Sequence, residues 1–202
     1  MNSTPQQASN FPNQQHIESG SRKQVSDYLT LLRKWNSACS LVSNGDLEHL
    51  NERHVADSMA LLPLLEQSRS HLDIGSGGGF PGAIIAIASR KMRVVLNDRS
   101  LKKCRFLRHV KMELDLANVE VLELDIKRNS EFNERFDTVT MRAVGTVHRV
   151  WDLGSQFLNE SGTILMQTSH KIDESKLIGA TVRSTHQTRR GFISLVSKSF
   201  VR

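Results

Sequence analysis

Cysteine, tyrosine, tryptophan and proline are scarce in this sequence, and it contains no long apolar run. The two cysteines, Cys39 and Cys104, lie far apart and outside any CxxC pair, which excludes a disulfide framework and a zinc ribbon and fits a reducing cytoplasm. The eight histidines form neither HExxH nor a Cys/His cluster, so no metal is assigned. No stretch approaches the ~20 apolar residues that cross a bilayer, and the N-terminus lacks the charged-then-apolar layout of a signal peptide. These absences point to a soluble intracellular protein without a membrane partner.

What is present is a surplus of positive charge. Against 21 Asp and Glu stand 27 Lys and Arg, a formal net charge of +6. That balance leans towards a polyanionic partner, and it fits a solvated basic surface equally well. The length, 202 residues, suits one domain with a core plus a small appendage.

Three segments follow from composition. Residues 1–21, rich in Asn, Gln and Ser with Pro5 and Pro12, are too polar to bury themselves and read as a disordered tail. Residues 22–69 read as a helical N-terminal extension, with Val25, Leu29, Leu32 and Trp35 or Asn36 on one stripe and Leu47, Leu50, Val55, Met59 and Leu62 on the next. From residue 70 to 202, short β-branched runs alternate with helical ones. "HLDIG", "RVVLND", "VEVLEL", "FDTVTM" and "TILMQ" read as strands; Phe80 to Ser89, Leu101 to Leu114 and "TVHRVWDLGSQFL" read as helices, the last ending at a turn "NESG". The tail from Thr181 reads as two closing strands. Such alternation predicts an α/β fold, a mostly parallel sheet with helices on both faces, whose ligands bind beyond the carboxyl ends of the strands.

The most informative stretch is "LDIGSGGGFPG". Gly75, Gly77, Gly78, Gly79 and Gly82 crowd the turn between the first strand and its helix, which lets backbone N–H groups approach a ligand. Asp98, closing the second strand, stands where a carboxylate accepts ribose hydroxyls. Gly77, Gly79 and Gly82 formally satisfy the dinucleotide spacing GxGxxG. Against NAD stands Asp73, whose carboxylate would repel a pyrophosphate and suits a ligand with a cationic end, such as S-adenosyl-L-methionine.

Taken in order, "LLRKWN", "ERHVADSM", "LDIGSGGGFPG", "LNDRSLKKCRFLRHV", "ELDLANVEVLELD", "FDTVTMRAV" and "ESGTILMQ" resemble the glucose-inhibited division protein B family, RsmG, over roughly Asp27 to Gln167. That resemblance implies a class I SAM-dependent methyltransferase (Rossmann-like) that methylates N7 of a guanine in 16S ribosomal RNA of the small ribosomal subunit; a cytoplasmic monomer is expected. It implies cofactor contacts at Asp73, Gly75, Gly77, Gly79, Phe80, Asp98, Ile126, Lys127 and Arg142, and catalytic roles for Arg142, Arg53 and His54. Arg53 and Asp57, four residues apart, equally allow a plain helical salt bridge. The sequence departs from the family pattern at Ser40 to Val42, at Asp125 to Lys127 and at Thr168 to Ser169.

The chemistry suits these residues. Guanine N7 is already a lone-pair nucleophile, so attack on a sulfonium methyl needs positioning and electrostatics but no general base. The Asn/Asp-Pro-Pro-aromatic turn associated with exocyclic adenine amines is missing, since no Pro-Pro occurs. Cations from Arg90 to Lys111, with Arg183, Arg189 and Arg190, are candidate phosphate contacts, with Leu101, Cys104, Leu107, Val110 and Leu114 expected to face the sheet. Two other readings stay open: a methyltransferase of another substrate class, and a noncatalytic RNA- or nucleotide-binding module.

Overall fold

The computed structural model describes residues 19–126, 131–142 and 145–199. Of the expected polar tail, only Ser19 to Ser21 fall within it, and they form the first turn of helix α1 (Ser19–Cys39). Lys127 lies outside the described residues. After α1 come α2 (Asn44–Leu47), a π-helical turn (Leu50–Val55), α3 (Ala56–Met59) and a 3-10 turn (Leu62–Leu65). The first expected stripe forms α1, and the second, from Leu47 to Leu62, is broken into short pieces. The π turn shifts the register by one residue per turn, and Pro63 sits in the first turn of the 3-10 piece, where a missing N–H costs nothing.

The chain then builds β1 (Ser70–Ile74), α4 (Gly82–Ala88), β2 (Arg93–Asp98), α5 (Leu101–Glu113), β3 (Val119–Glu123), β4 (Phe136–Met141), α6 (Val147–Gly154), β5 (Leu158–Thr168), β6 (Ala180–Thr188) and β7 (Gly191–Lys198). These strands make one sheet in the order β3-β2-β1-β4-β5-β7-β6. Strands β1 to β5 pair in parallel, and β7 runs antiparallel to both β5 and β6. The apolar runs of β1, β2 and β4 are buried almost throughout because helices cover both faces of the sheet.

Two apolar clusters hold the layers. One face carries α1, α4 and α5, with Tyr28, Leu32, Ile84, Ile85, Leu96, Phe106 and Leu107 in a common core. The other carries α6, with Val139, Trp151, Phe157 and Ile164. The helix α4 reads GAIIAIA and is apolar all round because the sheet and the N-terminal helices enclose it. Each fully buried isoleucine there contributes about 1.5–3 kcal/mol relative to exposure.

Three further expectations are corrected. The glycine-rich turn runs through Pro81, so α4 starts at Gly82 rather than Phe80. The "NESG" turn lies inside β5: Phe136 pairs with Leu158 and Thr138 with Thr163, so the four residues bulge out of the ladder between them. On α5, Leu101 is exposed and Phe106 is fully buried, because α1 covers a second flank of the helix and widens its apolar stripe.

Candidate functional site: the crevice beyond β1, β2 and β4

The glycine turn emerges from β1 and is pinned to β2. Gly75 and Ser76 both donate their N–H to the Asn97 carbonyl at 2.8 Å, and Ser76 Oγ donates to the Asp73 carbonyl at 2.8 Å. Gly77 N–H donates to Asp98 Oδ2 at 3.0 Å, while Asp98 Oδ1 accepts from Ser100 N–H at 2.8 Å. Asp98 thus joins the glycine turn to the start of α5. Gly75, Gly77 and Gly79 have φ of 74°, 57° and 98°, the left-handed region that glycine enters without strain.

Most of the missing side chains make room for the protein itself. A Cβ on Gly82 would stand 2.3 Å from Leu96 Cδ2 and 2.8 Å from Asp73 Oδ2; one on Gly79 would stand 3.0 Å from Tyr28 Oη. On Gly78 it would meet the Leu41 carbonyl at 3.2 Å. Gly77 differs, with its nearest neighbour 3.8 Å away. Close packing accounts for the missing side chains of Gly78, Gly79 and Gly82, while a Cβ on Gly77 would sit at ordinary contact distance from its neighbours.

Asp73 is 1% exposed, with Oδ1 accepting from Thr140 Oγ1 at 2.9 Å and Oδ2 from Gly82 N–H at 3.1 Å. Burial pushes its carboxyl pKa up, opposed by these hydrogen bonds and by Arg142. Asp73 is thus enclosed by its own hydrogen-bond partners beneath the glycine turn.

Arg142, at the end of β4, meets the N-terminal helices here. Its Nη2 donates to His54 Nδ1 at 3.1 Å, and the His54 ring stacks on Phe80 with centroids 4.9 Å apart and planes 26° from parallel. A guanidinium only donates, so Nδ1 must be the acceptor and the ring proton sits on Nε2. That atom faces Asp46 Oδ1 at 3.7 Å, too long for a hydrogen bond. Burial, then the neighbouring Arg142, lowers the His54 pKa from its ordinary value. Two buried atoms in this cluster, His54 Nε2 and Arg142 Nη1, have no hydrogen-bond partner in the protein. Unpaired buried donors are rare; Arg142 belongs to the lining of the cavity beyond β4 and β5, whereas His54 Nε2 is turned towards Asp46.

Arg53 pairs with Asp46 at 3.0 Å and Asp57 with Arg190 at 3.4 Å. The alternative Arg53–Asp57 salt bridge is not made, since the π turn rotates the two residues apart. Ile126 is buried against the second cluster. So Arg53, His54, Phe80, Asp73 and Arg142 converge and Gly75, Gly77, Gly79 and Asp98 form the adjoining wall, while Ile126 is packed in the second apolar cluster. Asp46, Tyr28 and Gln167 were not singled out beforehand, and Arg190 was expected only as a phosphate contact. Asp46 alone left a signal, lying seven residues, two helical turns, before Arg53.

Beside the crevice, beyond the ends of β4 and β5, a cavity of about 270 Å³ is lined by Asp57, Arg142, Gln167, Arg190 and Phe192 among others. Gln167 Nε2 donates to the Asp57 carbonyl at 3.0 Å and fixes that residue at the rim.

The model of the family described as GidB, rRNA small subunit methyltransferase G, matches residues 21–197. The chain belongs to this family. A ribosomal RNA small subunit methyltransferase G of Pseudomonas aeruginosa (strain LESB58) is 37% identical over 131 residues, covering 65% of this chain and 61% of that relative. The protein of the same name from Ectopseudomonas mendocina is 35% identical over 173 residues, covering 83% and 80%. The chain thus spans about three fifths of the length of the P. aeruginosa relative. Among solved structures, a methyltransferase from Geobacter sulfurreducens shares the fold of this GidB-family chain with a TM-score of 0.60 at 15% identity, covering 88% of this chain and 89% of that one. No helix among the described residues is long and apolar enough to cross a membrane.

Proposed function

We propose that the protein transfers the methyl group of S-adenosyl-L-methionine to N7 of a guanine in small-subunit ribosomal RNA. The observation that carries this reading is the sheet. Dinucleotide folds run 3-2-1-4-5-6, whereas this sheet inserts an antiparallel β7 between β5 and β6, in a chain whose family match is a methyltransferase.

The residues present fit the cofactor, because no close packing fills the space at Gly77 and Arg142 Nη1 is a buried donor without a protein acceptor. The proposed holders are Gly75, Gly77, Gly79 and Phe80 in the turn, Asp98 towards the ribose hydroxyls, Ile126 and Lys127 after β3, Asp73 through its charge, and Arg142 towards an anionic group. When bound, the cofactor supplies an electrophilic methyl. The protein's part is to orient the acceptor, exclude water, and hold Arg142 and His54 at the junction of the two sites. Arg53 acts one step back, through Asp46.

RNA contact is proposed for the exposed cations of α5, Lys102 and Arg105, with Arg33 and Lys34 of α1 beside them. Several other cations expected to contribute are engaged internally: Arg93 bonds Glu120 and Glu134, Arg108 bonds Glu123, and Arg90 donates to the carbonyls of Leu114 and Asp115. We further infer that residues 22–69 are an extension added to a methyltransferase core of residues 70–202, and that the protein works as a cytoplasmic monomer on the small subunit.

The test is a calorimetric titration with S-adenosyl-L-methionine, followed by tritiated-methyl transfer to small subunits from cells lacking the gene. Saturable binding and label in methylguanosine of the small-subunit RNA are expected. Absence of saturable binding, or label in protein only, would overturn the reading.

A further inference from the structure

Asp57 and Arg190 come from opposite ends of the chain, the N-terminal helices and the β6–β7 hairpin, and meet at the rim of the 270 Å³ cavity. Their contact is loose, Arg190 Nη1 to Asp57 Oδ2 at 3.4 Å. Burial raises the Asp57 carboxyl pKa, while Arg190 and Arg142 oppose that rise. An ion pair serving stability alone has little reason to stand over a cavity. Polar groups such as Gln167 and Thr188 make up most of the remaining exposed lining, and Phe192 with Met141 and Met166 gives a smaller apolar share against which a flat ring packs.

The order of groups along this pair is the informative feature. Arg190 offers an N–H donor, and the two oxygens of Asp57 beside it offer two acceptors. The Watson–Crick edge of guanine presents the complement: O6 as acceptor, then N1–H and the 2-amino group as donors. Adenine and cytosine place an amino donor beside a ring acceptor, and uracil places one N–H between two carbonyls, so none of them satisfies both carboxylate oxygens. A base held by this edge leaves N7, on its other side, without a protein partner.

We propose that the Asp57–Arg190 pair is a guanine-reading element that binds the Watson–Crick edge of an unstacked base in the cavity beyond β4 and β5. This rests on the reading of the protein as a guanine methyltransferase and adds which residues select the base. Single-stranded or extruded bases are read on that edge by other nucleic-acid enzymes, in pockets closed by apolar side chains. Gln167, holding the Asp57 backbone, keeps the carboxylate aimed at the cavity.

The test uses the full chain with methyl-labelled methionine, following Met141 and Met166 by NMR while titrating 5′-GMP, 5′-IMP and 5′-AMP. GMP is expected to shift both methyl signals at millimolar concentration. IMP, which lacks the 2-amino group, should bind about tenfold more weakly, the size of one hydrogen bond to a charged acceptor, and AMP more weakly still. In Asp57→Asn the preference for GMP over IMP should vanish, and Arg190→Gln should weaken both. Equal binding of GMP and AMP, unmoved Met141 and Met166 signals, or an Asp57→Asn protein that keeps the preference would overturn the proposal. Should that variant fail to fold, the three nucleotides on the unaltered protein decide the matter alone. Methyl transfer to RNA with no GMP preference removes this inference and leaves the methyltransferase reading; GMP preference without transfer does the reverse.

Discussion

His54 accepts a hydrogen bond from Arg142 at 3.1 Å, across 88 residues of sequence, and so fixes which of its ring nitrogens is bare. The bond exists only while the imidazole is neutral. Asp46, Arg142 and Arg190 are the charged groups that face the ring, and burial together with the two arginines holds its pKa below the ordinary 6.5. At neutral pH the bond is intact. As pH falls through the depressed pKa, Nδ1 gains a proton and two cations face each other.

Cofactor affinity is therefore expected to fall on the acid side and to hold steady from neutral to mildly alkaline pH. In His54→Gln, whose side-chain oxygen still accepts from Arg142, the acid fall should flatten. Calorimetric titrations across this pH range check both; a fall of equal size in the variant would assign the effect to another group.

Glycine substitutions should separate packing from ligand contact. Gly82→Ala places a methyl group 2.3 Å from Leu96 Cδ2, and is expected to cost about 1–3 kcal/mol in urea denaturation. Gly77→Ala makes only ordinary contacts and carries the strain of φ 57°, about 1–2 kcal/mol. Its main effect should be on cofactor affinity, read by calorimetry; a Gly77→Ala protein that binds as tightly as the parent contradicts the proposed wall.

Asp98→Ala removes the acceptor for the N–H groups of Gly77 and Ser100 at once. A stability loss of about 1–3 kcal/mol follows from leaving such donors unpaired. Cofactor affinity should drop by about tenfold or more, since the ribose loses its acceptor too. Asp98→Asn, which keeps one oxygen, is expected to fall between the two.

His71 gives a stability prediction remote from the crevice. It is fully buried in the sheet between Thr138 and Thr140, each hydroxyl 2.9 Å from a ring nitrogen, and burial lowers its pKa from 6.5 to about 3. Thr140 gives its proton to Asp73, so it accepts from Nε2–H, and Nδ1 accepts from Thr138. The unfolded chain protonates first, so stability is full above about pH 6.5 and declines as pH falls towards 3. The slope approaches about 1.4 kcal/mol per pH unit, a few kcal/mol in all. Urea midpoints measured along this range should decline in the parent and lose most of that slope in His71→Asn. Asp46 and Asp137, whose pKa values are lowered from 3.8, add their losses only at the acid end.

Charge reversal on α5 tests the RNA face. Lys102→Glu with Arg105→Glu is expected to weaken binding to small-subunit RNA and to shallow its salt dependence by roughly one counterion per cation removed. Unaltered affinity and slope in filter binding would place the RNA elsewhere.

The strand alternation was legible because the short β-branched runs of β1, β2 and β4, buried under helices on both faces, are separated by longer helical segments at regular spacing. Asp98 and the glycine turn were legible for a similar reason, a carboxylate and missing side chains at the ends of adjacent strands. The first N-terminal stripe was legible too, since Val25, Leu29 and Leu32 are buried along α1. The second was not: its apolar spacing fits one helix, yet the path bends through a π turn to bring His54 onto Phe80, a contact between residues whose separation leaves no periodic trace. Arg190 was visible only as a surface cation for the same reason, since its partner Asp57 lies 133 residues away.

Tyr28 donates its hydroxyl proton to the Gly78 carbonyl while its ring stands edge-on to Phe80 at 5.4 Å. The first helix is consequently a structural wall of the glycine turn, and its arrival completes the cradle on which the nucleoside is proposed to rest. Trimming the chain back to the alternating strands and helices would leave that turn without its outer buttress. The enclosure is finished only when the earliest helix docks upon a sheet made entirely from later residues.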